Sequence, residues 1–208
     1  MRFHFVVVVW GDSFLDLFLN TTIPKYLSPK NLRACSTYGS LSFKVYTRPG
    51  DVELIRGHRS YQALADVLET ELMPALTPEL FEGRNKWDLK GLCQSMAIRD
   101  AQAQKAVVVL LNPDSLISDG GLSTCCDLIR RGNKAVLVLE LARSLKESVV
   151  PVLREHFYDA ETNVLTVPNR RLVAIGVENL HPTGKILFWK DAPFSRWPSV
   201  MYWRAGRT

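Results

Sequence analysis

The chain has 208 residues, 47% of them hydrophobic and 23% charged. That balance supplies a buried core and excludes a disordered polymer. The formal net charge of +5 suits a phosphate-bearing ligand, but no dense Lys/Arg stripe runs along the chain, so nucleic acid is not an expected partner.

Residues 3–10 (FHFVVVVW) read as a first strand, rich in β-branched side chains. This stretch is too short for a signal peptide and has no small-residue cleavage site. No apolar run approaches the roughly 20 residues that a transmembrane helix needs. Gly11-Asp12-Ser13 breaks the strand, and Phe14, Leu17 and Phe18 open a helical pattern that Pro24 and Pro29 punctuate. Residues 41–47 (LSFKVYT) alternate as a second strand, closed by the turn Arg48-Pro49-Gly50-Asp51. Residues 59–71 fit a helix with Leu64, Val67 and Leu68 inward, and 71–76 suggest a short strand.

Residues 87–105 predict a helix with Leu89, Leu92, Cys93 and Met96 on one face. Residues 106–111 form a continuous apolar run, which reads as a strand buried on both faces and central in its sheet. Asn112-Pro113-Asp114 follows it directly, then Asp119 and Gly120-Gly121. Ligands of open α/β sheets collect at the carboxyl ends of such strands. The same residues are also ordinary turn chemistry, and Asp119 has the character of a helix N-cap. Residues 122–131 predict the next helix, closed by Gly132, and 134–139 (KAVLVL) a further parallel strand. Residues 143–157 read as a helix disturbed by Pro151, and strand-like runs recur at 171–177 and 185–189.

The last stretch sets Phe188, Trp189, Phe194, Trp197, Tyr202 and Trp203 among Lys185, Lys190, Arg196, Arg204 and Arg207. Aromatic plates beside cations suit carbohydrate or nucleotide ligands, and equally a core with a charged rim. Arg130-Arg131 and Arg170-Arg171 read as solvated faces. Cys35, Cys93, Cys125 and Cys126 show no C-x-x-C spacing, which argues against zinc. Buried thiols of this kind imply a reducing, cytoplasmic compartment. Strand–helix–strand alternation predicts one α/β domain over residues 1–208, with a mostly parallel central sheet and helices on both faces. No P-loop, Gly-x-Gly-x-x-Gly or Ser-His-Asp pattern supports a kinase, a Rossmann oxidoreductase or a hydrolase.

Val9-Trp10-Gly11-Asp12, Tyr46-Thr47-Arg48-Pro49-Gly50-Asp51, Asn112-Pro113-Asp114-Ser115 and Ser118-Asp119-Gly120 together resemble segments of glycosyltransferases of the GT-A fold, in particular a set of bacterial GT-A-like proteins. The resemblance touches segments from residue 5 to about 203. It implies a GT-A-like sheet and a nucleotide-sugar donor bound by Trp10, Gly11, Asp12, Arg48, Asn112 and Asp114. In many GT-A enzymes an Asp-x-Asp motif at a strand end holds a divalent metal against the donor diphosphate. Asn112-Pro113-Asp114 occupies that place, with Asn112 where the first acid stands. The implied cofactor is Mn²⁺ or Mg²⁺, held by Asp114 and Asn112, with Asp119 and His181 as further candidate ligands. Such an ion stabilises charge on the departing diphosphate. Arg48 offers a metal-independent substitute for that charge. Asp127, Glu140 and Asp191 are candidate bases, none favoured by sequence.

A glycosyltransferase acting on an unspecified acceptor is the leading expectation. Beside it stand a non-catalytic GT-A-like domain that binds a nucleotide, a sugar or a protein, and a nucleotidyltransferase-like enzyme, whose Gly/Arg/Lys-rich loop after the first strand is missing. Homo-oligomerisation stays open.

Overall fold

The structure, a computed structural model, describes residues 1–138 and 143–186. The chain divides into two compact units, one of Met1–Val136 with Tyr158–Thr166, the other of the described parts of Leu137–Phe157 and of the chain from Val167 on.

The first unit is built on four strands: β1 (Arg2–Val8), β2 (Ser40–Tyr46), β3 (Glu69–Met73) and β4 (Val107–Leu111), in the order β3-β2-β1-β4. All neighbours are parallel; Val7 lies opposite Val45 on one side and Leu111 on the other. Alternation along β1 decides which element each face receives. Phe3, Phe5, Val7 and Val9 join Phe43 and Val45 in the larger core, with Leu15, Phe18, Ile23, Tyr26, Leu32, Leu64 and Leu122 from the helices. Val6 and Val8 join Tyr46 on the opposite face, beneath Leu89, Cys93 and Ala97.

The larger core is closed by α1 (Asp12–Leu17), a π turn (Phe18–Thr22) and α2 (Ile23–Tyr26), then α3 (Leu32–Cys35), α4 (Val52–Gly57), α5 (Arg59–Ala65) and α8 (Gly121–Arg130). Among the described residues α7 (Lys86–Ala103) covers the other face, with Leu80 and Phe81 of the short α6 (Pro78–Phe81) packed beside it. Asn85 starts α7 with a capping box: its side chain accepts from the Trp87 and Asp88 amides while Asp88 accepts from the Asn85 amide. A two-stranded antiparallel ribbon, β5 (Tyr158–Asp159) with β6 (Val164–Leu165), belongs to this unit. In the second unit, α9 (Lys146–Phe157) keeps Pro151 inside it, and α10 (Asn169–Glu178) and α11 (Pro182–Lys185) follow.

Several expectations are corrected. The interior strands are β1 and β2; β4 is an edge strand, because 134–138 form no strand and nothing else among the described residues pairs with its outer side. Leu137 is 91% exposed, so this apolar run is not core. Residues 171–177 lie in a helix: Leu172, Ile175 and Gly176 are more shielded than Val173 and Val177, a 3–4 rhythm. Lys185 ends a helix, and 187–189, with the aromatic and basic tail to 208, lie outside the described residues. In α7 the inward row is Leu89, Cys93, Ala97 and Ala101, while Leu92 and Met96 are exposed. Cys35, Cys93 and Cys126 are buried free thiols and Cys125 is half-buried. No helix among the described residues is long and apolar enough to cross a membrane.

Candidate functional site

The chain leaves β1 towards β2 and β3 on one side, and β4 returns on the other side of β1. The strand order therefore reverses between β1 and β4, the position where a crevice opens at the carboxyl ends of an α/β sheet. Because Val7 pairs with Leu111, the segments Trp10–Asp12 and Asn112–Asp114 leave neighbouring strands in the same direction. The Val9 amide donates to the Tyr46 carbonyl at 2.9 Å, which brings Arg48 beside the same end. Trp10, Gly11, Asp12, Arg48, Asn112 and Asp114 thus share one end of the sheet.

Each does something different there. Trp10 packs edge-to-face on Phe81, with ring centroids 6.1 Å apart, within the core under α7. Gly11 turns the chain from β1 into α1 with φ +82°, a conformation that favours glycine, and a Cβ there would meet nothing within 4 Å. Its carbonyl accepts from the Phe14 and Leu15 amides. Asp12 and Asp114 are exposed, and their carboxylates make no hydrogen bond or ion pair among the described residues. Arg48 donates through Nε and Nη2 to the two oxygens of Asp51, both at 2.8 Å. That bond holds its guanidinium more firmly charged, with a smaller contribution from Asp12.

Sequence reasoning missed two lysines. Lys90, on α7, donates Nζ to Asn112 Oδ1 at 2.7 Å and lies 5.9 Å from the centre of the Trp87 ring. Lys25, on α2, is fully buried, and its Nζ has no hydrogen-bond partner among the described residues. Neither was legible, since the Lys90–Asn112 bond and the burial of Lys25 both depend on how separate segments pack. The only signal was helical spacing: Thr22, Lys25 and Tyr26 fall on one face.

That face holds the chain after β4. Thr22 donates to the Pro113 carbonyl at 2.7 Å, and the Tyr26 hydroxyl to the Asn112 and Ser115 carbonyls at 3.1 and 3.5 Å. Burial, and then the Asp114 charge, push the Tyr26 hydroxyl's pKa far up, so it stays a donor. Asp119 accepts from Ser28 Oγ at 2.9 Å and from the Lys30 amide at 3.1 Å. Asn31, fully buried, accepts at Oδ1 from the Gly120 and Leu122 amides, both at 3.2 Å. Gly120, at φ +90°, makes the left-handed turn into α8.

These bonds narrow the set of residues that could hold the implied metal. Asn112 Oδ1 is engaged by an ammonium, which would repel a cation. Asp119 is committed to the 28–31 turn. His181 belongs to the second unit, where its Nδ1 accepts from the Thr183 amide at 3.1 Å and caps α11. Asp114 keeps an unbonded, exposed carboxylate among the described residues, and Mg²⁺ is commonly held by one or two carboxylates together with substrate phosphates. Among the described residues, no group of three or more His, Cys, Asp or Glu is arranged to hold a metal. Asp127, a candidate base, is bound to Arg130 and Arg131 at 3.2 and 2.6 Å. Glu140 and Asp191 lie outside the described residues.

Comparison with family models, with curated proteins and with solved structures finds no match.

Proposed function

We propose that the chain is a GT-A-like glycosyltransferase that binds the diphosphate of a nucleotide-sugar donor across the ends of β1 and β4. The observation that carries this reading is the reversal of strand order there, with a glycine turn on one side and a Lys90-bound asparagine on the other. A parallel α/β sheet binds nucleotides at such a point. The resemblance of Trp10–Asp12 and Asn112–Asp114 to GT-A segments supplies the reaction class.

In the transfer, an acceptor hydroxyl attacks the anomeric carbon. The bond from that carbon to the diphosphate oxygen breaks, and the electron pair leaves with the nucleoside diphosphate. The charge that appears on the leaving group needs cations. Lys90, whose acceptor is the neutral Asn112, supplies one without a metal ion; Arg48, paired with Asp51, supplies a second only by exchanging that carboxylate for the diphosphate. Asp12 and Asp114 supply carboxylates on the solvent side, suited to orient an acceptor hydroxyl or take its proton.

A second reading, a nucleotide-binding domain without transfer chemistry, is favoured by the same Lys90–Asn112 bond, which closes the place of the metal motif. One experiment separates them. The protein is melted with a panel of nucleoside diphosphates and incubated with the corresponding nucleotide sugars. A melting shift accompanied by release of free nucleoside diphosphate is expected of the transferase. A shift without release selects the binding domain. No shift with any nucleotide removes both readings.

A further inference from the structure

Lys25 poses a problem that the fold alone does not answer. A buried ammonium without a partner is strongly unfavourable, and native proteins keep such groups where a ligand or a reaction uses them. Lys25 is fully buried, and no acceptor lies within hydrogen-bonding distance of its Nζ among the described residues. Its main chain is ordinary, with the carbonyl accepting from Asn31 Nδ2 at 3.3 Å. Burial lowers its pKa, and the charge of Asp119 opposes that, although the Asp119 carboxylate hydrogen-bonds Ser28 and the Lys30 amide.

Its surroundings fit a ligand role. Lys25 shares a helix face with Thr22 and Tyr26, and both of these bind carbonyls of residues 112–115. Residues 112–120 contain no helix or strand and connect the ligand end of β4 to α8. Four side chains fasten this segment to the π turn, α2 and the turn after it: Thr22, Tyr26, Ser28 and Asn31. A segment held by a few side-chain bonds opens at far lower cost than a strand or helix does.

We propose that Lys25 is a phosphate-binding residue of the site at the ends of β1 and β4. The 112–120 segment covers it in the free protein and moves aside when the diphosphate enters. The ammonium then gains the acceptor it lacks. This rests on the nucleotide reading above and extends it to the α2 side of the crevice, opposite Lys90 on α7.

Inorganic pyrophosphate is the direct probe, since it carries the phosphate chemistry without base or sugar. Its dissociation constant is measured by calorimetry for the wild type and for Lys25→Met, which keeps the volume and removes the charge. Weakening by tenfold or more is expected, with a melting temperature of the free protein equal to or above that of the wild type. An unchanged dissociation constant overturns the role of Lys25 and leaves the nucleotide site standing. If the wild type binds neither pyrophosphate nor any nucleoside diphosphate, both proposals fall.

Should Lys25→Met not fold, amine acetylation of the wild type, read peptide by peptide, decides the question. Pyrophosphate should protect Lys25 selectively over Lys30. Equal labelling of Lys25 with and without pyrophosphate overturns the proposal.

Discussion

Lys90 Nζ binds Asn112 Oδ1 at 2.7 Å, so a cation sits at the end of β4 where the GT-A resemblance places a metal. The side chain reaches there because α7 crosses the β1–β4 side of the sheet, packing against both strands. An asparagine gives the ammonium a neutral acceptor and leaves its charge available to an anion. An aspartate would neutralise it.

Two substitutions follow from this pair. Lys90→Met should weaken nucleoside diphosphate binding about tenfold, equivalent to ~1.4 kcal/mol. Asn112→Asp should weaken metal-free binding similarly and make the melting shift depend on added Mn²⁺, since a two-carboxylate motif is then complete. Wild-type shifts should be the same with and without Mn²⁺. A wild-type shift that requires Mn²⁺ would restore the metal reading.

Asp114→Ala separates chemistry from binding. Its carboxylate is exposed and makes no bond among the described residues, so stability should change by less than about 0.5 kcal/mol. Nucleoside diphosphate affinity should hold or rise, because a like charge leaves the vicinity of an anion. Release of diphosphate from the nucleotide sugar should fall at least tenfold. Loss of affinity together with activity would mean that Asp114 holds a ligand or metal.

The parts of this site were unequally legible in the sequence. The strands under it were readable because runs such as Phe3–Val9 and Val107–Leu111 are short, rich in β-branched residues and bounded by breakers. The edge position of β4 was not, because an unbroken apolar run looks the same whether one neighbour or two pair with it. Residues 171–177 misled for a related reason: short β-branched runs fit either period, and burial at 172, 175 and 176 decides for helix. Asp119 reads correctly as a turn residue but not as a helix cap: the N-cap of α8 is Gly120, and the Asp119 carboxylate instead accepts from Ser28 and the Lys30 amide. Lys25 in Pro24-Lys25-Tyr26 looks like a surface lysine until the segment after β4 is folded over its neighbours.

Asn31 fastens the far end of that segment. Its Oδ1 accepts from the Gly120 and Leu122 amides, and its Nδ2 donates to Ser28 Oγ at 2.9 Å. Asn31→Ala would leave buried donors without acceptors, at roughly 1–3 kcal/mol each. Chemical denaturation should show a loss of about 3 kcal/mol. Hydrogen exchange should rise first at the amides of 120–122. A loss under 1 kcal/mol would show that water replaces the side chain and that the turn does not depend on it.

His4 sets a pH dependence remote from the ligand end. It is buried on β1 with Nδ1 unpartnered, 3.6 Å from Asp100 Oδ2, an oxygen that already accepts from Lys44 Nζ at 2.5 Å. Burial lowers its pKa first, then the charges of Lys44 and Arg2; Asp100 and Glu69 oppose them without prevailing. The unfolded chain therefore takes up a proton near pH 6.5 that the folded protein resists. The resulting stability is present above that pH and is lost as pH falls towards the depressed folded value. Asp100, held below its ordinary range by its bond to Lys44, adds its own loss only at lower pH, beneath about 3.8. Urea midpoints should fall between pH 7 and pH 5.5 for the wild type and fall less for His4→Leu, the remainder belonging to His58, whose pKa burial also lowers. A wild-type midpoint that rises over this interval would mean that the Asp100 carboxylate captures the imidazolium and that the folded protein holds the proton more tightly than the unfolded chain.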